Sequence, residues 1–212
     1  MRFDDRRAAG RMLGEVVREL DPHDPVVYAL PRGGVPVGFE VSRVLECPLD
    51  VLVVRKIGVP YQPELAMGAL GEGGTLVRNS EVLTEAGIDE EDFAAVVERE
   101  RRELDRRVAS YRSAAPAVPA EGKTAVIVDD GLATGSTALA AVSVLERKGA
   151  GDIWVAVPVA PQGPLGGLER RADRVVTMHR PARFGAVGSW YRDFGQTDDD
   201  EVRDLLARSR LA

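Results

Sequence analysis

The stretch that most narrows the possible folds runs Ala125-Val126-Ile127-Val128-Asp129-Asp130-Gly131-Leu132-Ala133-Thr134-Gly135-Ser136-Thr137. Its apolar start predicts a strand buried on both faces, the usual state inside a parallel sheet. Leu139, Val142 and Leu145 follow at helical spacing, so a strand, a short loop and a helix come in direct succession. Backbone N–H groups at the start of such a helix carry partial positive charge, and the Thr and Ser hydroxyls add donors, so the turn can bind a phosphate dianion. Two adjacent carboxylates at the strand end suit a different task, accepting hydrogen bonds from sugar hydroxyls near a metal ion. The bland alternative is an ordinary strand–loop–helix junction with a capping Thr or Ser. A nucleotide-binding P-loop is excluded because no Lys follows the glycine, and a dinucleotide fingerprint because its glycine spacing is absent.

The remainder of the chain repeats this alternation. Residues 26–30, 49–54, 153–157 and 174–178 are further valine-rich runs. Leu13, Val16, Val17 and Leu20 place a helix before Asp21-Pro22, and another is expected from about residue 35 to 45 with Pro36 in its first turn. Helices between strands imply an α/β fold: a mainly parallel twisted sheet flanked by helices on both faces, with ligands at the carboxyl ends of the strands. Residues 89–112 form a charged helical stretch whose sparse stripe is Phe93, Val96, Val97, Leu104 and Val108. It reads as a long surface helix inserted at about residues 80–113, available as an oligomer contact, with a linker at 114–119.

At 212 residues the chain is read as a single domain. A formal net charge of −6 provides no field that attracts nucleic acid. No segment has the roughly 18 uninterrupted apolar residues of a membrane span, and the charged start is neither signal nor anchor. Cys47 is the only cysteine, which excludes an internal disulfide and fits a reducing, cytoplasmic setting. It is expected to pack rather than react. His23 and His179 are too isolated in sequence to form a zinc site.

Three more segments carry candidate chemistry. Leu30-Pro31-Arg32-Gly33-Gly34-Val35-Pro36 ends the first strand; its glycines allow backbone to approach an anion and Arg32 adds a fixed charge. Arg55-Lys56-Ile57-Gly58 places two cations after the run at 49–54, on the side where a ligand should lie. Gly58, Gly68, Gly71, Gly73 and Gly74 suit a mobile lid over about residues 58–74. Near the C-terminus, Phe184 or Trp190 could stack on a planar molecule while Asp193 receives its N–H groups.

Together these motifs resemble the type I phosphoribosyltransferase family, whose signature is two acids followed after a short spacer by Thr-Gly. The resemblance implies that residues 133–137 (Ala133, Thr134, Gly135, Ser136, Thr137) bind the 5′-phosphate of 5-phosphoribosyl 1-pyrophosphate (PRPP). It further implies that Asp129 and Asp130 hold the ribose hydroxyls and an indirectly bound Mg²⁺, and that Arg32, Gly33, Gly34, Arg55 and Lys56 bind pyrophosphate. A C-terminal hood over about residues 180–212 would hold a heterocyclic acceptor against Phe184, Trp190 and Asp193. Purine salvage by a cytoplasmic homodimer is the corresponding expectation. Ala133 stands where hypoxanthine-type enzymes carry an Asp and matches the adenine-type pattern, whose acid comes from the lid, here Glu64 or Glu72. Val59 stands where adenine enzymes carry a Lys, which leaves a non-catalytic PRPP sensor as the alternative. An oxidoreductase on a similar sheet would need the phosphate fingerprint that is missing.

Overall fold

The computed structural model describes residues 2–165 and 167–210, with Glu64 described by its backbone alone. The strands are β1 (Pro25–Ala29), β2 (Leu49–Val51), β3 (Val54–Val59), β4 (Gln62–Gly71), β5 (Thr75–Arg78), β6 (Thr124–Val128), β7 (Asp152–Val159) and β8 (Arg174–His179). Five of them pair in the order β2-β1-β6-β7-β8, every neighbour parallel. The helices are α1 (Arg6–Arg18), α2 (Gly34–Leu45), α3 (Ser80–Glu85), α4 (Glu90–Arg112), α5 (Ser136–Arg147), α6 (Leu168–Arg171) and α7 (Asp199–Ser209). None is long and apolar enough to cross a membrane.

Alternation along the strands builds two cores. Val27, Ala29, Val126, Val128, Trp154 and Ala156 face α1, α2 and α7, while Val26, Tyr28, Ala125, Ile127, Ile153 and Val155 face α5 and α6. The expected parallel sheet covered on both faces is therefore present. The chain leaves β1 toward one edge to make β2, and leaves β6 toward the other to make β7 and β8. Between β1 and β6 the direction reverses, which opens a crevice at their carboxyl ends.

Residues 49–54, expected as one strand, divide. β2 stops at Val51, and β3 starts a separate antiparallel sheet in the order β3-β4-β5. Residues 58–74, expected as a mobile lid, are mostly this sheet. Three of the glycines that suggested mobility serve close packing instead. A Cβ on Gly58 would lie 2.4 Å from the Pro63 carbonyl oxygen, one on Gly68 2.5 Å from that of Val77, and one on Gly71 2.5 Å from Val144 of α5. Only Gly73 and Gly74 need glycine for their φ of +78°.

Helix α4 turns its apolar stripe inward and leaves its charged side exposed. Phe93, Val96, Val97 and Leu104 are buried in the same core as Ile57, Leu70 and Leu205, so its stripe packs within the chain. α7 buries Val202, Leu205 and Leu206 in that core too.

A buried ion network fixes these parts to one another. Asp50 on β2 is 1% exposed. Its Oδ1 accepts from Arg112 Nη1 at 2.6 Å and its Oδ2 from the Val118 N–H at 2.9 Å. Arg112 also donates from Nε and Nη2 to the two Glu72 oxygens, each at 2.6 Å. One guanidinium thus joins the end of α4, the main sheet and the turn before β5. Arg112→Ala would leave Asp50 charged and unpaired in the core, and should reduce unfolding free energy by about 3–5 kcal/mol in urea titrations. A loss below about 1 kcal/mol would mean that water replaces the arginine.

Candidate functional site

Two loops leave β1 and β6 side by side. Ala29 pairs with Val128, and the Leu30 N–H donates to the Val128 carbonyl at 2.8 Å, so Pro31-Arg32-Gly33 and Asp129-Asp130 emerge together. The Pro31–Arg32 peptide is cis. A Cβ on Gly33 would lie 2.2 Å from Asp130 Oδ2; one on Gly34 would lie 2.7 Å from the Val128 carbonyl and 2.9 Å from Asp129 Cα. Neither glycine has a positive φ, so contact with the acid pair, not a left-handed turn, is what demands glycine here.

Helices α2 and α5 both begin at this edge, with Gly33 and Gly135 at their N-caps. Neither has a side-chain cap or an acidic residue in its first turn. α4 and α7 instead carry an Asp cap and three acids each in the first turn. The positive ends of α2 and α5 are thus left for an external anion. Gly135 adopts a φ of +76° and lies against the Leu165 carbonyl, turning the chain into α5. Thr134 Oγ1 lies 3.1 Å from Ser136 Oγ, while Ala133, Thr134 and Thr137 are exposed. Exposed Arg32 stands beside the same crevice.

The two carboxylates are tightly framed. Asp129 Oδ1 accepts the Asp130 N–H at 2.8 Å. Arg6 approaches Asp130 Oδ2 with Nε and Nη2, both at 2.9 Å. Burial raises the pKa of both acids; the Asp130 charge raises Asp129 further, and Arg6 opposes the rise in both. Tyr191 donates its hydroxyl to the Asp130 carbonyl at 2.5 Å, and Phe3 packs on the Tyr191 ring at 5.5 Å. Arg6 and Tyr191 were not singled out from the sequence. Nothing local marks Arg6, since its partner lies 124 residues away.

The remaining candidates are placed less simply. Strand alternation puts Arg55 and Lys56 on opposite faces of the β3–β5 sheet. Arg55 shares its face with Ile57 and Leu70 toward α4, where Glu100 Oε2 accepts from its Nε and Nη2 at 2.9 and 2.6 Å. Lys56 pairs with Ala69, on the face toward α5. Glu72 is engaged by Arg112, and the Glu64 side chain lies outside the described residues. Trp190 donates Nε1–H to the Phe184 carbonyl at 2.9 Å and packs edge-on to His179 at 4.9 Å, as hood packing would have it. Phe184 is half-buried against the hood core, and exposed Asp193 accepts the Gly195 N–H at 3.1 Å. Half-buried Cys47, whose thiol burial pushes up to about 11, is suited to packing and not to nucleophilic attack. A cavity of about 810 Å³ lies between β4, α3 and α5; it shares Thr134 and Ser136 with the phosphate turn but does not include the acid pair.

Comparison with known proteins agrees with this geometry. The family profile described as "Phosphoribosyl transferase domain" matches residues 5–184. A Mycobacterium tuberculosis protein named "Putative phosphoribosyl transferase Rv0571c" is 48% identical over 207 residues, 98% of this chain and 47% of that protein. The chain thus spans about half the length of the curated relatives it matches. An adenine phosphoribosyltransferase of Kineococcus radiotolerans is 48% identical over 59 residues, 27% of this chain and 31% of that protein. The crystal structure of TT1426 from Thermus thermophilus superposes with a TM-score of 0.92 at 43% identity, over 98% of this chain and 99% of that one.

Packing at the glycine loop gives a test of the framing. Gly34→Ala sets a methyl against backbone and should cost about 1–3 kcal/mol of stability. Gly33→Ala meets a carboxylate that can turn aside, so it should cost less while displacing Asp130 from Arg6 in a crystal structure. Equal losses in urea titrations of the two variants would contradict this division.

Proposed function

We propose, from the premise that the chain belongs to the phosphoribosyl transferase domain family, that it transfers the 5-phosphoribosyl group of PRPP to a nitrogenous heterocycle with release of pyrophosphate. The observation that carries this reading is the contact between the glycine loop after β1 and the acid pair after β6 at the sheet's switch point. One loop suits a pyrophosphate and the other a phosphorylated sugar. Thr134, Gly135, Ser136 and Thr137, at the start of α5, would bind the 5′-phosphate. Asp129 and Asp130 would accept hydrogen bonds from the ribose hydroxyls, and Arg32 with the Gly33-Gly34 backbone would hold pyrophosphate. Arg55, which Glu100 engages, and Lys56, on the hairpin face toward α5, would complete the pyrophosphate end.

Mg²⁺ fits this donor set as a companion of the substrate. Among the described residues no group of three or more His, Cys, Asp or Glu could hold a metal ion. Two adjacent carboxylates plus substrate oxygens suit Mg²⁺, which Asp129 and Asp130 would hold indirectly, through ribose hydroxyls or water. Bound there, the ion would offset the charge of departing pyrophosphate. The protein's own task is to orient donor and acceptor and to stabilise the leaving group. For the acceptor, a purine is favoured by Ala133 and by the adenine-type relative. Because Trp190 is tied to Phe184 and His179, Phe184 is the better stacking surface. Glu72 is engaged with Arg112, so Glu64 is the lid acid left for proton transfer.

Incubation with PRPP, Mg²⁺ and a panel of purines, pyrimidines and other heterocycles should release pyrophosphate with one class of acceptor. PRPP binding without turnover on any acceptor would favour the sensor reading instead. In calorimetric titrations, Asp129→Asn with Asp130→Asn should weaken PRPP binding at least about tenfold, the loss expected from charge-assisted hydrogen bonds. Unchanged affinity in the double variant would overturn the sugar-site assignment.

A further inference from the structure

We infer that Arg6 is a positioning residue of the sugar site, holding one oxygen of Asp130 so that the other is aimed at a hydroxyl of the bound sugar phosphate. The inference rests on the phosphoribosyl reading of the acid pair and adds to it a residue from the opposite end of the sequence.

The Arg6 side chain is only 12% exposed, low for an arginine. Three of its sides are taken. Nε and Nη2 meet Asp130 Oδ2, Nη1 donates to the Gly195 carbonyl at 2.6 Å, and the guanidinium plane lies 3.8 Å from the Phe194 ring centroid. A planar fork fixed in this way cannot follow a rotating carboxylate, so the carboxylate must conform to the fork. The oxygen it grips is also the one that Gly33 approaches, which walls Oδ2 between Arg6 and the glycine loop. Oδ1 is the oxygen left to face a ligand.

The platform under Arg6 is itself rigid. Asp5 caps α1 by accepting the Ala8 N–H, which fixes the backbone at Arg6. The preceding residues zip onto the hood: Phe3 N–H donates to the Trp190 carbonyl at 2.8 Å, Arg192 N–H to Phe3 at 2.8 Å, and Asp193 N–H to Asp4 at 2.9 Å. Phe194 stacks in turn on Tyr191, whose hydroxyl holds the Asp130 carbonyl. Side chain and backbone of Asp130 are therefore gripped by one body made from the N-terminal segment and residues 190–195. α1 has its own anchorage, since Gly10 and Gly14 pack closely on α2. The fold does not depend on Arg6 for attaching that helix, which leaves orientation of Asp130 as its distinctive effect.

The test compares binding of ribose 5-phosphate, its 2-deoxy and 3-deoxy analogues, and inorganic phosphate to the wild type, Arg6→Gln, Arg6→Lys and Phe194→Leu. The wild type should prefer ribose 5-phosphate over at least one deoxy analogue. Arg6→Gln should reduce ribose 5-phosphate affinity by about tenfold, the effect of misdirecting one charge-assisted hydrogen bond, and erase most of that preference. Its affinity for inorganic phosphate should not change. Arg6→Lys should restore part of the preference, and Phe194→Leu, which keeps the charge but removes the stack, should weaken it. If Arg6→Gln is unstable, Arg6→Lys and Phe194→Leu decide. Variants that lose thermal stability but keep the full preference would overturn the inference and make Arg6 a structural ion pair. A wild type that binds ribose 5-phosphate without any preference would instead defeat the sugar reading of the acid pair itself.

Discussion

The arrangement of this protein depends on the absence of two side chains. Gly33 and Gly34 let the loop after β1 lie directly on Asp129 and Asp130, with no room for even a methyl group between them. Because β1 and β6 are adjacent, parallel and in register, that contact falls at the one place where the sheet changes direction. Two helix N-termini, two carboxylates and an exposed arginine then share one crevice.

Around this contact the rest of the chain acts as a frame. The N-terminal segment and residues 190–195 meet beside the acid pair, where Arg6, Phe194 and Tyr191 hold Asp130. At the other side, α4 carries ion pairs to the β3–β5 hairpin, Glu90 to Arg78, Glu100 to Arg55 and Arg112 to Glu72, and Arg112 extends to buried Asp50. The hairpin is therefore braced by α4 on one face and packed against α5 on the other. This bracing explains why a segment rich in glycine is built as a sheet: its glycines remove side chains where strands and helix come closest.

Much of the main sheet was legible because its strands are buried on both faces, so their hydrophobic runs are uninterrupted and the loops between them stand out. The acid pair and the phosphate turn were legible for the same reason, being contiguous with such a run. The β3–β5 sheet was not. Its strands mix charged, glycine and apolar residues, and its pairing is antiparallel and local, so a glycine required for packing looks like a glycine required for motion. The opposite orientation of Arg55 and Lys56 follows from strand alternation, but only once residues 54–59 are known to be a strand. Arg6 was illegible because its role depends on a partner at Asp130, and charge near a chain end reads as solvation. The partners of Trp190 were not legible either, since His179 and the Phe184 carbonyl meet it through the fold and not through any local pattern.

The most direct test is a crystal structure with PRPP and Mg²⁺ bound. The ribose hydroxyls should lie on Asp129 and Asp130, the 5′-phosphate on the backbone of residues 134–137, and the pyrophosphate against Arg32 and Gly33, with Arg6 still on Asp130. Density for the ligand in the 810 Å³ cavity between β4 and α5, with the acid pair left untouched, would contradict the assignment of the crevice as the donor site.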